Sequence, residues 1–157
     1  YGIGLRCEER EERVKEIFML AMILKTALPK KGIKVSKEYK DSEYLYKEDE
    51  MHINGNGTSK DIFFRIAHEM RHKWQLETDC EKYFKDYKGL DEVSLEEYGV
   101  QIVDANAFAM IMSVKLVDTM PLFIGRPDRE REKIFKHAKQ LAEIYNVSMP
   151  WDSIDKY

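Results

Sequence analysis

Cysteine is scarce and poorly placed for chemistry: Cys7 and Cys80 are the only two in 157 residues, with no CxxC and no neighbouring partner. That spacing excludes a zinc ribbon and fits two reduced thiols in a cytoplasmic protein better than a disulfide framework. An excess of one charge sign is also missing. With 26 Lys and Arg against 29 Asp and Glu, the net charge is -3 and the pI ≈ 5.9. Neither nucleic acid nor an acidic membrane surface is therefore an expected partner. No apolar run reads as long enough to cross a bilayer, the best being residues 17–24, so no membrane association is expected. Repeats and low-complexity segments are absent. The start, Tyr1-Gly2-Ile3-Gly4-Leu5-Arg6, has neither an initiator Met nor a signal-peptide pattern and reads as a trimmed chain.

What is present is the composition of an ordinary folded protein, 43% hydrophobic and 35% charged, long enough for one domain over residues 1–157 with its own core. Residues 1–30 carry a helix with Val14, Ile17, Phe18, Ala21, Met22, Leu24 and Leu28 at helical spacing, stopped by Pro29. Lys25, Lys30 and Lys31 complement its C-terminal end rather than marking a binding patch. Between residues 32 and 57 the period changes to two. Gly32-Ile33-Lys34-Val35-Ser36, Tyr44-Leu45-Tyr46 and Met51-His52-Ile53-Asn54 read as strands of a small antiparallel sheet, closed by Asn54-Gly55-Asn56-Gly57. His52 falls on its polar face, with a metal-ligand role as the alternative. After a helix at 58–76 comes a polar connection at 76–92. A helix at 94–118 follows, opened by the capping box Ser94-Leu95-Glu96-Glu97 and apolar on every side, hence buried. Pro121 ends it, and a final helix spans 128–146, with Ile134, Ala138, Leu141 and Ile144 on one face and His137 on its surface. Residues 140–148 have the flavour of the first half of a helix-turn-helix. The chain ends too soon for a recognition helix, and there is no basic patch, so DNA binding is not expected.

The stretch with chemistry in it is Ile66-Ala67-His68-Glu69-Met70-Arg71-His72-Lys73-Trp74-Gln75, which contains one HExxH. Residues four apart lie one turn above each other on a helix. Two imidazoles so spaced can grip one Zn²⁺, leaving Glu69 beside the open position as a general base. A bare HExxH arises by chance in many proteins, and a helix surface that merely carries His, Glu and His is the plain alternative. Here Phe63, Ile66, Ala67, Met70 and Trp74 follow helical spacing, and Thr58-Ser59-Lys60-Asp61 reads as a capping box. The histidines thus fall mid-helix, where metal binding needs them. Tyr83, Tyr87 and Tyr98 are candidate oxyanion donors, each with packing as the simpler reading.

Asp104 and Asn106 interrupt the apolar helix. A buried carboxylate is costly unless paired or metal-bound, so Asp104 needs a partner, which Arg65 could be. Arg71 either braces the site by pairing with a core carboxylate or lies on the solvated face.

The HExxH stretch followed by Asp104-Ala105-Asn106-Ala107-Phe108-Ala109 resembles the ImmA/IrrE-type zinc metallopeptidases of bacteria and their mobile elements, over about half the chain. The resemblance implies an α+β, minimal zincin-like domain, mostly helical, with a small sheet beside the HExxH helix. Its edge strand would bind extended peptide by strand addition. The resemblance further implies a Zn²⁺ cofactor held by His68, His72 and an acid from the later helix, with Glu69 catalytic and a specific protein or peptide as substrate. In the family register, however, Ile102 stands where the third ligand belongs. Asp104 lies about 200° around the helix from it, and Glu97 is a second candidate, seven residues before Asp104. Asp104, the acid inside the apolar helix, is the expected ligand, and Asn106 could orient a histidine instead. The expectation is a zinc-dependent endopeptidase; the alternative is a catalytically impaired zincin-fold binding or regulatory module.

Overall fold

The computed structural model describes residues 7–87 and 95–153, with side chains described for 13–83 and 99–152. The elements run α1 (Cys7–Leu24), β1 (Ile33–Ser36), β2 (Glu43–Leu45), β3 (Glu50–Asn54), α2 (Ser59–Thr78), α3 (Cys80–Tyr87), α4 (Leu95–Val117) and α5 (Asp128–Ile144), then a 3₁₀ turn at Trp151–Ser153. The domain is α+β and mostly helical, as expected. Helix α3 occupies part of the segment read as a polar connection.

Helix ends follow from local chemistry. Helix α1 stops before Pro29 is reached, because Lys25 turns left-handed (φ 53) while Thr26 N–H reaches Ala21 O at 3.0 Å. Asn146 ends α5 in the same way, with Val147 N–H on Ala142 O at 2.8 Å. The expected capping box opens α2: Thr58 Oγ1 accepts from Asp61 N–H, and Asp61 Oδ2 accepts from Thr58 N–H at 2.8 Å. Gly57 makes this entry feasible. Its φ is +95, and an added Cβ would stand 2.6 Å from Asp61 Oδ2. The Ser94 box lies outside the described residues.

The sheet is mixed rather than purely antiparallel. β3 lies in the middle, parallel to β1 (Ile33↔Met51, Val35↔Ile53) and antiparallel to β2 (Tyr44↔Met51). Period-two alternation reports which face of a strand is apolar and is blind to the direction of its neighbour. Ile33, Met51 and Ile53 are buried on the core face. His52, on the other face, stacks on Tyr39 with ring centroids 4.6 Å apart.

Helix α4 runs through the centre, between α2 and α5. Ala105 and every residue from 107 to 112 are inaccessible to solvent. By length and composition its Gly99–Val117 stretch could cross a membrane, so the sequence expectation that no run is long enough was wrong. In this fold the stretch is the core helix, packed on both sides by Ile66, Met70, Ile134 and Leu141 among others.

Candidate metal centre

Helix α2 places His68, Glu69 and His72 together. One ligand atom from each lies within 4.8 Å of the others, the group with metal-binding geometry among the described residues. Their spacing explains the meeting: the imidazoles sit one helical turn apart, with rings nearly perpendicular and centroids 4.6 Å apart. The two Nε2 atoms approach to 3.0 Å, and a Glu69 carboxylate oxygen lies 3.9 Å from His68 Nε2. Glu69 and His72 are buried, and His68 is largely so.

The other ring nitrogens decide the tautomers. His72 Nδ1 faces Gln75 Oε1 at 2.8 Å, and His68 Nδ1 faces Asn106 Oδ1 at 2.9 Å. Amide oxygens only accept, so with the amides oriented as they stand each Nδ1 carries the hydrogen. The Gln75 amide is fixed by its two donor bonds to Gln101 O and Asp104, whereas the Asn106 Nδ2 is buried without a hydrogen-bond partner. Each neutral ring then presents its Nε2 lone pair toward the same point, beside a carboxylate. That donor set, with both imidazoles oriented from behind by hydrogen bonds, could hold a metal ion.

Electrostatics agree. Burial first, then the neighbouring His72, push His68 down to about 3, and burial also lowers His72, so both rings are neutral in the way a ligand requires. Burial, with the charge of Glu43, pushes Glu69 up to about 8, while the Tyr44 backbone N–H pulls it back. The last two influences come from β2. As the expected layout has it, an edge strand, here β2, runs beside the HExxH helix.

Asp104 is not brought to the two histidines. Its Oδ2 accepts from Arg71 Nε at 2.7 Å and Gln75 Nε2 at 2.8 Å, and its Oδ1 from Arg71 Nη2 at 3.1 Å and His137 Nε2 at 2.6 Å. A carboxylate has about four acceptor positions, and here all are taken. Burial would raise its pKa, but the hydrogen bonds from His137 and Arg71, with the Arg71 charge, hold it well below the usual carboxylate range. The expectation of Asp104 as third ligand is therefore corrected: in this arrangement it is the counter-ion of a buried arginine. Arg71 also donates to Tyr145 Oη at 2.8 Å and lies 3.7 Å over the Trp74 ring. Arg65, the other suggested partner, instead binds the carbonyls of Asn54 and Asn56. The Glu97, Tyr87 and Tyr98 side chains lie outside the described residues. Tyr83 is buried against a cavity of about 710 Å³ behind Gln75 and Asp104, whose walls do not include Glu69.

Three contributors were not assigned these roles from the sequence. Gln75 stands three residues after His72, on the same helix face, and that spacing was a usable signal. His137, expected on the surface of the last helix, instead holds Asp104; its contact and that of Tyr145 cross from α5 and leave no trace in local periodicity. No family model, curated protein or solved structure significantly matches the chain.

Proposed function

We propose that this protein is a zinc-dependent endopeptidase of the ImmA/IrrE type, hydrolysing a specific protein substrate. The observation that carries the reading is the pair of Nε2 atoms 3.0 Å apart, each ring held from behind through Nδ1, with Glu69 alongside. A purely structural site has no need of such a carboxylate.

His68 and His72 would hold the metal through Nε2. When bound, Zn²⁺ supplies Lewis-acid polarisation of a peptide carbonyl and lowers the pKa of water toward ~7. Glu69 does the proton work. A cation beside it favours its ionised form at neutral pH. A Glu69 Oε atom then takes a proton from the attacking water and delivers it to the departing amine nitrogen. Tyr44 N–H steadies that carboxylate. Among the described residues β2 is an edge strand, and apart from the Tyr44 N–H that Glu69 takes, its outer side offers backbone groups along which an extended peptide can lie.

Elemental analysis should find near-stoichiometric zinc in the wild type, lost in His68→Ala and His72→Ala and kept in Glu69→Gln. Cleavage of a fluorogenic peptide library should occur with the wild type and vanish with Glu69→Gln. A wild type that takes up no zinc, even after incubation with it, overturns the proposal. The commitment of Asp104 to Arg71 favours one second reading, a zincin-fold regulatory module with a weakened third ligand. That module would keep its biological effect in Glu69→Gln.

A further inference from the structure

Gln75 is held by two acceptors. Its Nε2 hydrogens go to Asp104 Oδ2 at 2.8 Å and to the Gln101 carbonyl at 3.1 Å. With both hydrogens used, its amide can turn only its oxygen toward His72, whose Nδ1 stands 2.8 Å away. Asp104 is in turn gripped by His137 of α5 at 2.6 Å and by Arg71, which Tyr145 at the end of α5 also holds. A continuous hydrogen-bonded chain thus runs from α5 through α4 to the back of one imidazole.

We infer that Asp104 is a positioning residue for the metal centre, acting through Gln75 to lock His72 in the Nδ1–H tautomer with its Nε2 lone pair facing the metal position. The inference rests on the proposed metal role of His72 and adds to it a relay from the C-terminal helix. Losing the Asp104 carboxylate leaves Gln75 with the Gln101 carbonyl as its one remaining anchor among these bonds. The amide can then turn over, present its NH₂ to Nδ1 and drive His72 to the opposite tautomer. Helix α5, through His137 and Tyr145, becomes part of the metal site without touching the metal.

Two measurements test this. Long-range ¹⁵N–¹H correlation spectra of metal-free protein read the His72 tautomer directly. The expected result is Nδ1–H in the wild type, with the Nε2–H form gaining in Gln75→Leu and in Asp104→Asn. An Nε2–H His72 in the wild type, or a tautomer unchanged in both variants, overturns the relay.

Cobalt affinity, measured by competition with a chromophoric chelator, supplies a double-mutant cycle. Gln75→Leu should weaken Co²⁺ binding about 10- to 100-fold, the usual range for such supporting bonds. Asp104→Asn should cost roughly tenfold alone but less than about twofold once residue 75 is Leu, because its effect passes through Gln75. Additive losses overturn the relay. Circular dichroism checks that the metal-free variants are folded, and Gln75→Met replaces Gln75→Leu if the latter is not. A wild type with the expected tautomers that takes up neither Zn²⁺ nor Co²⁺ would leave the relay standing and sink the peptidase proposal.

Discussion

Glu69 occupies an environment that suits it only when something positive is near. Its carboxyl is buried, and without metal that burial pushes it up to about 8 from an ordinary 4.5. Ionising it inside the fold therefore costs free energy. The sign follows from linkage: an acid whose pKa is raised by folding contributes most below its unfolded pKa, and that contribution is lost as pH rises toward 8. Metal-free Glu69→Gln should match the wild type near pH 4 in urea unfolding. It should pull ahead above pH 4.5, reaching on the order of a few kcal/mol at pH 8–9. Saturating zinc should close the gap. Arg71 poses the opposite case, a buried cation that depends on its partner. Its side chain is 4% exposed, with Asp104 as the bidentate counter-ion. Asp104→Ala should cost about 3–5 kcal/mol in urea unfolding. At saturating metal the variant should still take up zinc, which a direct ligand variant such as His72→Ala should not.

At the level of elements, α2 carries the motif and the other elements hold it in place. Its start is set by Gly57, Thr58 and Asp61, far from the histidines along the helix. Thr58→Ala should lower stability by about 1 kcal/mol in thermal or urea unfolding, with little effect on metal affinity. Gly57→Ala should be worse, since it adds a Cβ at positive φ against the Asp61 carboxylate. Helix α4 is without solvent access from Ala107 to Met112, so a side chain truncated there leaves a cavity. Phe108 is fully buried and meets Tyr145 edge-on at 5.7 Å. Phe108→Ala should cost about 3–5 kcal/mol in urea unfolding and loosen α5, the helix from which His137 and Tyr145 reach the Arg71–Asp104 pair.

For the whole molecule, metal binding and folding are linked. The His68–His72 pair exists only when α2 is formed, so on the proposed metal role zinc would bind the native state alone and should raise its stability by about 4 kcal/mol when free metal is a thousand times the dissociation constant. Calorimetry should show a melting temperature that rises with added Zn²⁺ and falls with chelator, and no such shift in His68→Ala. In chelator, acid should destabilise the protein through His68. Its pKa falls to about 3 on folding, so its contribution is full above the ordinary 6.5 and is lost as pH drops below it.

Local sequence was enough for most of what has a short period, with α3 the exception. The capping box at Thr58, the His68–Glu69–His72 face, the buried character of α4 and the apolar faces of the strands were all legible, because helices and strands repeat every 3.6 and 2 residues and a side chain's face follows from that count. A bracing role for Arg71 and an orienting one for Asn106 were legible as options, since a core carboxylate must find a charge and an amide one turn from the site can reach a ring nitrogen. Which option held was decided by tertiary packing. Whether Asp104 met a metal or an arginine depended on the rotation of α4 against α2. The parallel pairing of β1 with β3, and the reach of His137 and Tyr145 across from α5, likewise depended on how elements distant in the chain came to lie side by side. Such contacts are chosen by burial of the whole core, and no window of neighbouring residues records them.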